Sequence, residues 1–267
     1  METRHLVRVN DLDLYVEERG DGPPILLVPG TACPILVWGH LPEELSKTHR
    51  VIAYERRGFN RTGGRPAGHQ REHAHDAAGL LRALDAVPAS VVGWSGGGLS
   101  ALALAVEHPE VVRGLVLEEP SVHMIRHLSR SMLAAVTRAN YLRLVRRDPE
   151  AAVDVTYRWV MSSTRGGSSW DEFPEAWRVQ IRAHPKAIAA EANQEAALYP
   201  SRRQLASIAP PAGCILGEVS VYRAPSLELA RINPSVRLVD IEGAGHAVHF
   251  DRPSAFLAAV RELLGEA

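Results

Sequence analysis

Val91-Val92-Gly93-Trp94-Ser95-Gly96-Gly97-Gly98 decides how this chain is read. Two β-branched residues run into a glycine, a serine follows one position on, and further glycines open the helical stretch Leu99 to Glu107. This is G-x-S-x-G in a strand–turn–helix setting, the pattern of a nucleophile elbow. A serine on so sharp a turn needs neighbours without side chains, so that strand and helix approach and the turn takes unusual dihedrals. The turn would lift the Ser95 hydroxyl above the sheet edge and set the Gly96 N–H at a helix N-terminus, where a developing oxyanion is stabilised. A Gly/Ser-rich loop could instead hold a phosphate. Neither a G-x-G-x-x-G run nor a lysine-ended P-loop accompanies it, so the phosphate reading lacks its other parts.

Outward from the elbow, apolar runs mark buried strands. Ile25-Leu26-Leu27-Val28, Arg50-Val51-Ile52-Ala53-Tyr54 and Ser90-Val91-Val92 are continuous, as expected where a parallel sheet is covered on both faces. Leu6 to Val9, the turn Asn10-Asp11 and alternating Leu12, Leu14, Val16 read as a hairpin before them. Ala77, Leu80, Leu81 and Leu84 recur at helical spacing, and a strand from Gly114 to Leu117 follows the elbow helix. From about Val122 to Ser207 the texture becomes helical, punctuated by Gly166-Gly167-Ser168-Ser169, Pro174, Pro185 and Pro200. The strand–helix rhythm resumes at Cys214-Ile215-Leu216, continues at Val236 to Ile241 and closes with Ala255 to Leu264. The expected organisation is one α/β core, residues 1–121 and 208–267, split by a helical cap over 122–207.

Bulk properties narrow the classes. A length of 267 residues, 46% hydrophobic content and a net charge of −1 suit a domain with a sizeable core. They imply no pull toward nucleic acid or an anionic membrane. Cys33 and Cys214 are too few for a disulfide scaffold. The start, Met1-Glu2-Thr3-Arg4-His5, has no apolar leader and no run approaches a membrane span, so a cytoplasmic protein is expected. His69, His73, His75 and Asp76 look metal-like. His73 and His75 stand two apart on a predicted helix and diverge, so no metal is expected. Arg57, in the turn Arg56 to Arg61, reads as a structural loop residue.

A nucleophilic serine needs a base, and the base needs a group that orients it. His246 in Glu242-Gly243-Ala244-Gly245-His246 directly follows a predicted strand, placing it at the sheet edge where sites of open α/β sheets lie. His249 reads as packing or a loop hydrogen bond. The second oxyanion donor is expected from the loop after Ile25 to Val28. Proline has no N–H, so in Pro29-Gly30-Thr31 the donor is Thr31, with Gly30 permitting the turn.

Together the strand–Pro-Gly loop, the Gly-Trp-Ser-Gly-Gly elbow and Gly-Ala-Gly-His before Phe250-Asp251-Arg252-Pro253 resemble the α/β-hydrolase fold. The resemblance spans the whole core. It implies a mostly parallel central sheet with helices on both faces and a helical cap insertion. The family's acid usually follows the strand Cys214 to Leu216 as Gly-x-x-Asp, which here reads Gly217-Glu218-Val219-Ser220. A serine hydroxyl cannot supply the charge that stabilises an imidazolium. Leu117-Glu118-Glu119-Pro120 offers two carboxylates at the strand end from which some family members take their acid. Counting along that strand selects Glu119, with Glu118 and Glu218 as alternatives.

Among relatives the chain looks most similar to zearalenone-hydrolase-type lactonases, through Pro29-Gly30, the acid beside Pro120, Gly166-Gly167-Ser168 and the pair Tyr199-Pro200. It departs from them at Asn193-Gln194-Glu195-Ala196-Ala197, where those lactonases carry a cap tryptophan. Trp38, Met124, Trp159 and Met161, with Tyr199, are the expected pocket-lining residues, and they favour a hydrophobic small-molecule ester or lactone. The expected chemistry is serine hydrolysis through an acyl-enzyme, with no metal or organic cofactor. The assembly admits a homodimer. A general carboxylesterase, a cofactor-free haloperoxidase or carbon–carbon bond hydrolase, and a hydrolase-fold ligand receptor with little turnover would use the same parts.

Overall fold

The computed structural model describes residues 2–265. β1 (Glu2–Val9) and β2 (Leu12–Arg19) form an antiparallel hairpin. Asn10 turns it at φ 52°, a left-handed conformation that asparagine tolerates better than most residues. β3 (Pro24–Val28), β4 (Arg50–Tyr54), β5 (Ala89–Trp94), β6 (Val112–Glu118), β7 (Ala212–Gly217) and β8 (Arg237–Ile241) complete an eight-stranded sheet. Its order is β1-β2-β4-β3-β5-β6-β7-β8, antiparallel as far as β4 and parallel from there on.

The continuous apolar runs are explained by burial on both faces. Alternate side chains of one strand enter opposite cores. Leu26, Val91, Leu117 and Leu216 join one cluster with Leu81 and Leu102, from the helices Gln70–Ala83 and Gly96–Glu107. Ile25, Leu27, Val92 and Ile215 join the other with Phe256 and Val260, from the helix Pro253–Leu264. That last helix begins two residues earlier than its apolar spacing indicates, because Pro253 fits its first position.

Between β6 and β7 the chain makes a helical layer that includes Arg130–Tyr141, Pro149–Val160, Glu175–Arg182 and Pro185–Ala196. Ser163 bridges to Ser220, tying this layer to the loop after β7. Among the described residues no helix is long and apolar enough to cross a membrane, and no group of three or more His, Cys, Asp and Glu could hold a metal ion. His73 is instead a buried helix residue. Arg57 binds Asp11 and Asp76 as a loop clamp.

Candidate active site

Ser95 caps β5 at φ 54° and ψ −121°, a conformation costing about 1–3 kcal/mol that the surroundings must impose. They do so through the backbone. The Ser95 N–H donates to Glu118 O at 2.9 Å, and Ser121 N–H donates to Ser95 O at 3.1 Å. Gly97 is required by close approach, since a Cβ there would lie 2.2 Å from Val28 O. The elbow is thereby stitched to the ends of β3 and β6, and Gly96 opens the helix that follows.

Glu118 and Glu119 are consecutive at the end of β6, so they reach opposite faces. Glu119 Oε2 meets His246 Nδ1 at 2.7 Å, and both side chains are fully buried. The same carboxylate accepts from Gly217 N–H at 3.0 Å and from the Ser220 hydroxyl at 2.6 Å. Glu118 pairs instead with His249, accepting from its backbone N–H at 3.0 Å and meeting Nδ1 at 2.8 Å. Glu218 lies at the surface, bound to Arg165 and Gly243 N–H. Of the three candidate acids, Glu119 alone touches His246.

An ionised carboxylate only accepts, so His246 Nδ1 carries the proton and Nε2 carries a lone pair. That Nε2 is buried and has no hydrogen-bond partner among the described residues. The ring lies between Trp94 and Tyr222, with centroids 5.8 and 4.4 Å away. The Ser95 hydroxyl is bonded to Ser121 Oγ at 3.2 Å, and Tyr222 donates to the same Ser121 oxygen at 3.1 Å. Withdrawal from water holds the Tyr222 phenol protonated, well above its ordinary range.

A cavity of about 60 Å³ adjoins Ser95, walled by Trp94, Val160, Met161, Ile188 and Ala192, with Thr31, Glu195 and Tyr222 as polar members. Gly30 and Thr31 stand on its rim, and two helices of the layer between β6 and β7 hold their loop. Tyr157 donates to Thr31 O, and the Thr31 hydroxyl donates to Glu195 Oε1 at 2.9 Å. Burial and then the nearby Glu191 push the Glu195 carboxyl up to about 8, with Thr31, Arg56 and Ser121 opposing. Glu191 itself is buried against Arg56, which also donates to Pro29 O and Ser100. Burial, and next the Arg56 and Arg57 charges, hold His73 well below the usual imidazole range.

Of the five expected pocket-lining residues, Met161 reaches this cavity. Trp38 does not. It packs on His249, 5.2 Å between centroids, and lines a separate cleft of about 580 Å³ with Trp177 and Phe250. Trp159 stands behind the wall: Thr156, Tyr157 and Val160 of its helix line the cavity, while its ring packs on Tyr222, 6.2 Å between centroids, and its indole N–H donates to Ser131. Met124 is buried in a short turn outside the cavity wall. Tyr199 donates to Glu107 at 2.6 Å over a different surface hollow. The sequence reading missed Ser121, Tyr222, Arg56, Glu191 and Glu195. One signal was available: Glu191 and Glu195 stand four apart in an otherwise alanine-rich helix, hence on one face.

Comparison with known proteins gives the family. Residues 25–260 match the Alpha/beta hydrolase family. The chain is 32% identical over 124 residues to the uncharacterized hydrolase YraK of Bacillus subtilis (strain 168), covering 45% of this chain and 46% of that one. It is 39% identical over 108 residues to 2-hydroxymuconate semialdehyde hydrolase of Pseudomonas sp. (strain CF600), covering 38% of each. These matches span less than half the length of those curated relatives. In solved structures, the enol-lactonase of Burkholderia xenovorans LB400 superposes with a TM-score of 0.76 at 25% identity, covering 98% of this chain and 100% of that one. The chain belongs to the alpha/beta hydrolase family.

Proposed function

We propose that this alpha/beta hydrolase cleaves a carboxylic ester or lactone of a hydrophobic small molecule through a serine acyl-enzyme. The observation that carries the reading is the buried Glu119–His246 pair, whose free Nε2 faces no other protein partner among the described residues. Ser95 Oγ attacks the carbonyl carbon while its proton passes to His246 Nε2. The oxyanion accepts from the Gly96 and Thr31 N–H groups, and Glu119 stabilises the imidazolium. The proton then goes to the departing alkoxide as the carbon–oxygen bond breaks. His246 next deprotonates a water, which releases the acid and restores Ser95.

For attack, the Ser95 hydroxyl turns from Ser121 toward His246; catalytic hydrogen bonds are often looser before substrate binds. The apolar wall supports a hydrophobic substrate, and the likeness to a lactonase supports including lactones. The resemblance to zearalenone-hydrolase-type lactonases makes resorcylic macrolactones the narrowest candidates. The test is labelling of Ser95 by a fluorophosphonate, with turnover of short p-nitrophenyl esters and of resorcylic macrolactones. Labelling with ester turnover is expected. A Ser95 that neither labels nor turns over an activated ester overturns the proposal, and failure on macrolactones alone removes that narrow version.

A further inference from the structure

Glu195 takes no part in the steps above, yet it stands on the wall of the same cavity. It rises from the helix Pro185–Ala196 of the cap. Its Oε1 accepts from Thr31 at 2.9 Å, and a Cβ placed on Gly96 would lie 2.9 Å from that oxygen. The carboxyl therefore adjoins both residues assigned to the oxyanion site. Arg56 is taken by Glu191, its partner on the same helix face as Glu195. With its carboxyl held up to about 8, Glu195 is mostly protonated at neutral pH and carries an O–H donor.

The other hydroxyls of the wall are committed. Tyr157 donates to Thr31 O, Tyr222 to Ser121 and Thr156 to Ala152 O. The Thr31 hydroxyl donates to Glu195 itself, Ser95 is bonded to Ser121, and the remaining wall is apolar. In such sites a few placed polar groups set orientation and specificity, and a donor left without an acceptor discriminates strongly against the wrong substrate.

We propose that Glu195 is a specificity-determining residue whose O–H donates a hydrogen bond to an acceptor oxygen next to the scissile carbonyl. The preferred substrates are then uncharged esters or lactones bearing an ether, keto or amide oxygen within two or three bonds of that carbonyl, about the reach of one hydrogen bond. A carboxylic acid kept neutral by an apolar site is able to donate in this way at pH 7. This inference rests on the serine-hydrolase reading, and the experiment separates the two.

The probes are p-nitrophenyl methoxyacetate and p-nitrophenyl butanoate, which match in length and differ by one oxygen for one methylene. The readout is the ratio of their kcat/KM values, compared between proteins so that intrinsic reactivity cancels. Glu195→Ala is expected to lower the ratio at least about tenfold, and Glu195→Gln, which keeps a neutral donor, to hold it within about threefold. A ratio unmoved by Glu195→Ala, with Ser95 still labelled by a fluorophosphonate, overturns this inference and leaves the serine-hydrolase reading standing. Absence of labelling in the parent protein overturns both.

Should Glu195→Ala fail to fold, the pH dependence of the ratio in the parent protein and in Glu195→Gln decides. Glu191 on the same helix, Arg56 after β4, His73 on the helix Gln70–Ala83, and Tyr157 and Tyr222 surround the carboxyl. His73 is held neutral, and the two phenols and the guanidinium are held protonated beyond the range measured. A group that affects both esters equally cancels from the ratio. The parent ratio is expected to fall above about pH 8 and the Glu195→Gln ratio to stay flat. A parent ratio flat from about pH 6.5 to 9.5 overturns the inference.

Discussion

Ser220 donates its hydroxyl to Glu119 at 2.6 Å, from the position where this fold usually keeps its acid. The serine thus holds in place a carboxylate borrowed from the neighbouring strand, and its own oxygen accepts from Tyr222 N–H at 3.0 Å. A hydrogen bond to an ionised carboxylate contributes about 1.5–3 kcal/mol. Ser220→Ala is therefore expected to lower kcat about 10- to 100-fold with Ser95 labelling retained. Ser220→Asp alone crowds two carboxylates and lowers kcat further, whereas Ser220→Asp combined with Glu119→Gln recovers part of the loss of Glu119→Gln. Steady-state kinetics with an activated ester checks all four, and a double variant no better than Glu119→Gln refutes the exchange.

The two glutamates at the end of β6 predict different phenotypes. Glu119→Ala removes the charge behind His246 and is expected to cost up to about 10⁴-fold in kcat with the fold intact. Glu118→Ala leaves the buried His249 ring without its acceptor and is expected to cost about 1–3 kcal/mol of stability. Thermal unfolding alongside kinetics separates them. Equal effects of both on kcat would contradict the assignment.

At Gly96 an alanine Cβ would lie 2.2 Å from Thr31 Oγ1. The Thr31 hydroxyl and the Glu195 carboxyl, 2.9 Å away, would both have to give way beside the Gly96 N–H. Gly96→Ala is expected to reduce kcat about 10²–10³-fold with KM changed far less. A variant of normal kcat would place the oxyanion elsewhere.

Arg56 and Glu191 form a buried ion pair between the core and the cap. Removing one partner strands the other charge, which costs about 3–5 kcal/mol. Arg56→Met is expected to lower Tm strongly, and adding Glu191→Leu to recover most of the loss. Calorimetry reads both; no recovery would mean the arginine contributes through Pro29 and Ser100 instead.

Two buried groups set opposite pH limbs of stability. His73 is depressed in the fold, so its contribution is present above about pH 6.5 and lost as acid protonates the unfolded chain first. Glu195 is raised, so its contribution is present below the ordinary carboxylate range and lost as pH rises through about 8. Between about pH 4.5 and 6.5 the two slopes oppose each other, so stability is expected to be highest there, falling in more acid solution through His73 and from about pH 6.5 to 8 through Glu195. Tm against pH for Glu195→Gln should show a flatter alkaline limb, and for His73→Asn a flatter acid limb. Unchanged limbs in both variants would refute the attribution.

Local pattern alone determined the core of this protein. The elbow at Ser95, the Gly-Ala-Gly-His246 loop, the buried strands and the helical interruption are each written in consecutive residues, because backbone strain and burial on two faces constrain composition within a few positions. The acid could be narrowed to three glutamates and ranked. Glu118 and Glu119 differ by one residue, which is one face of a strand, and the packing of β6 against β7 decides which face meets His246. The cavity walls were the least legible part. Trp38 and Tyr199 are apolar enough to line a pocket but pack elsewhere, while Glu195 meets Thr31 across 164 positions of chain. Such contacts depend on how the cap sits on the core, and burial of a carboxyl far from its sequence neighbours leaves no periodic trace.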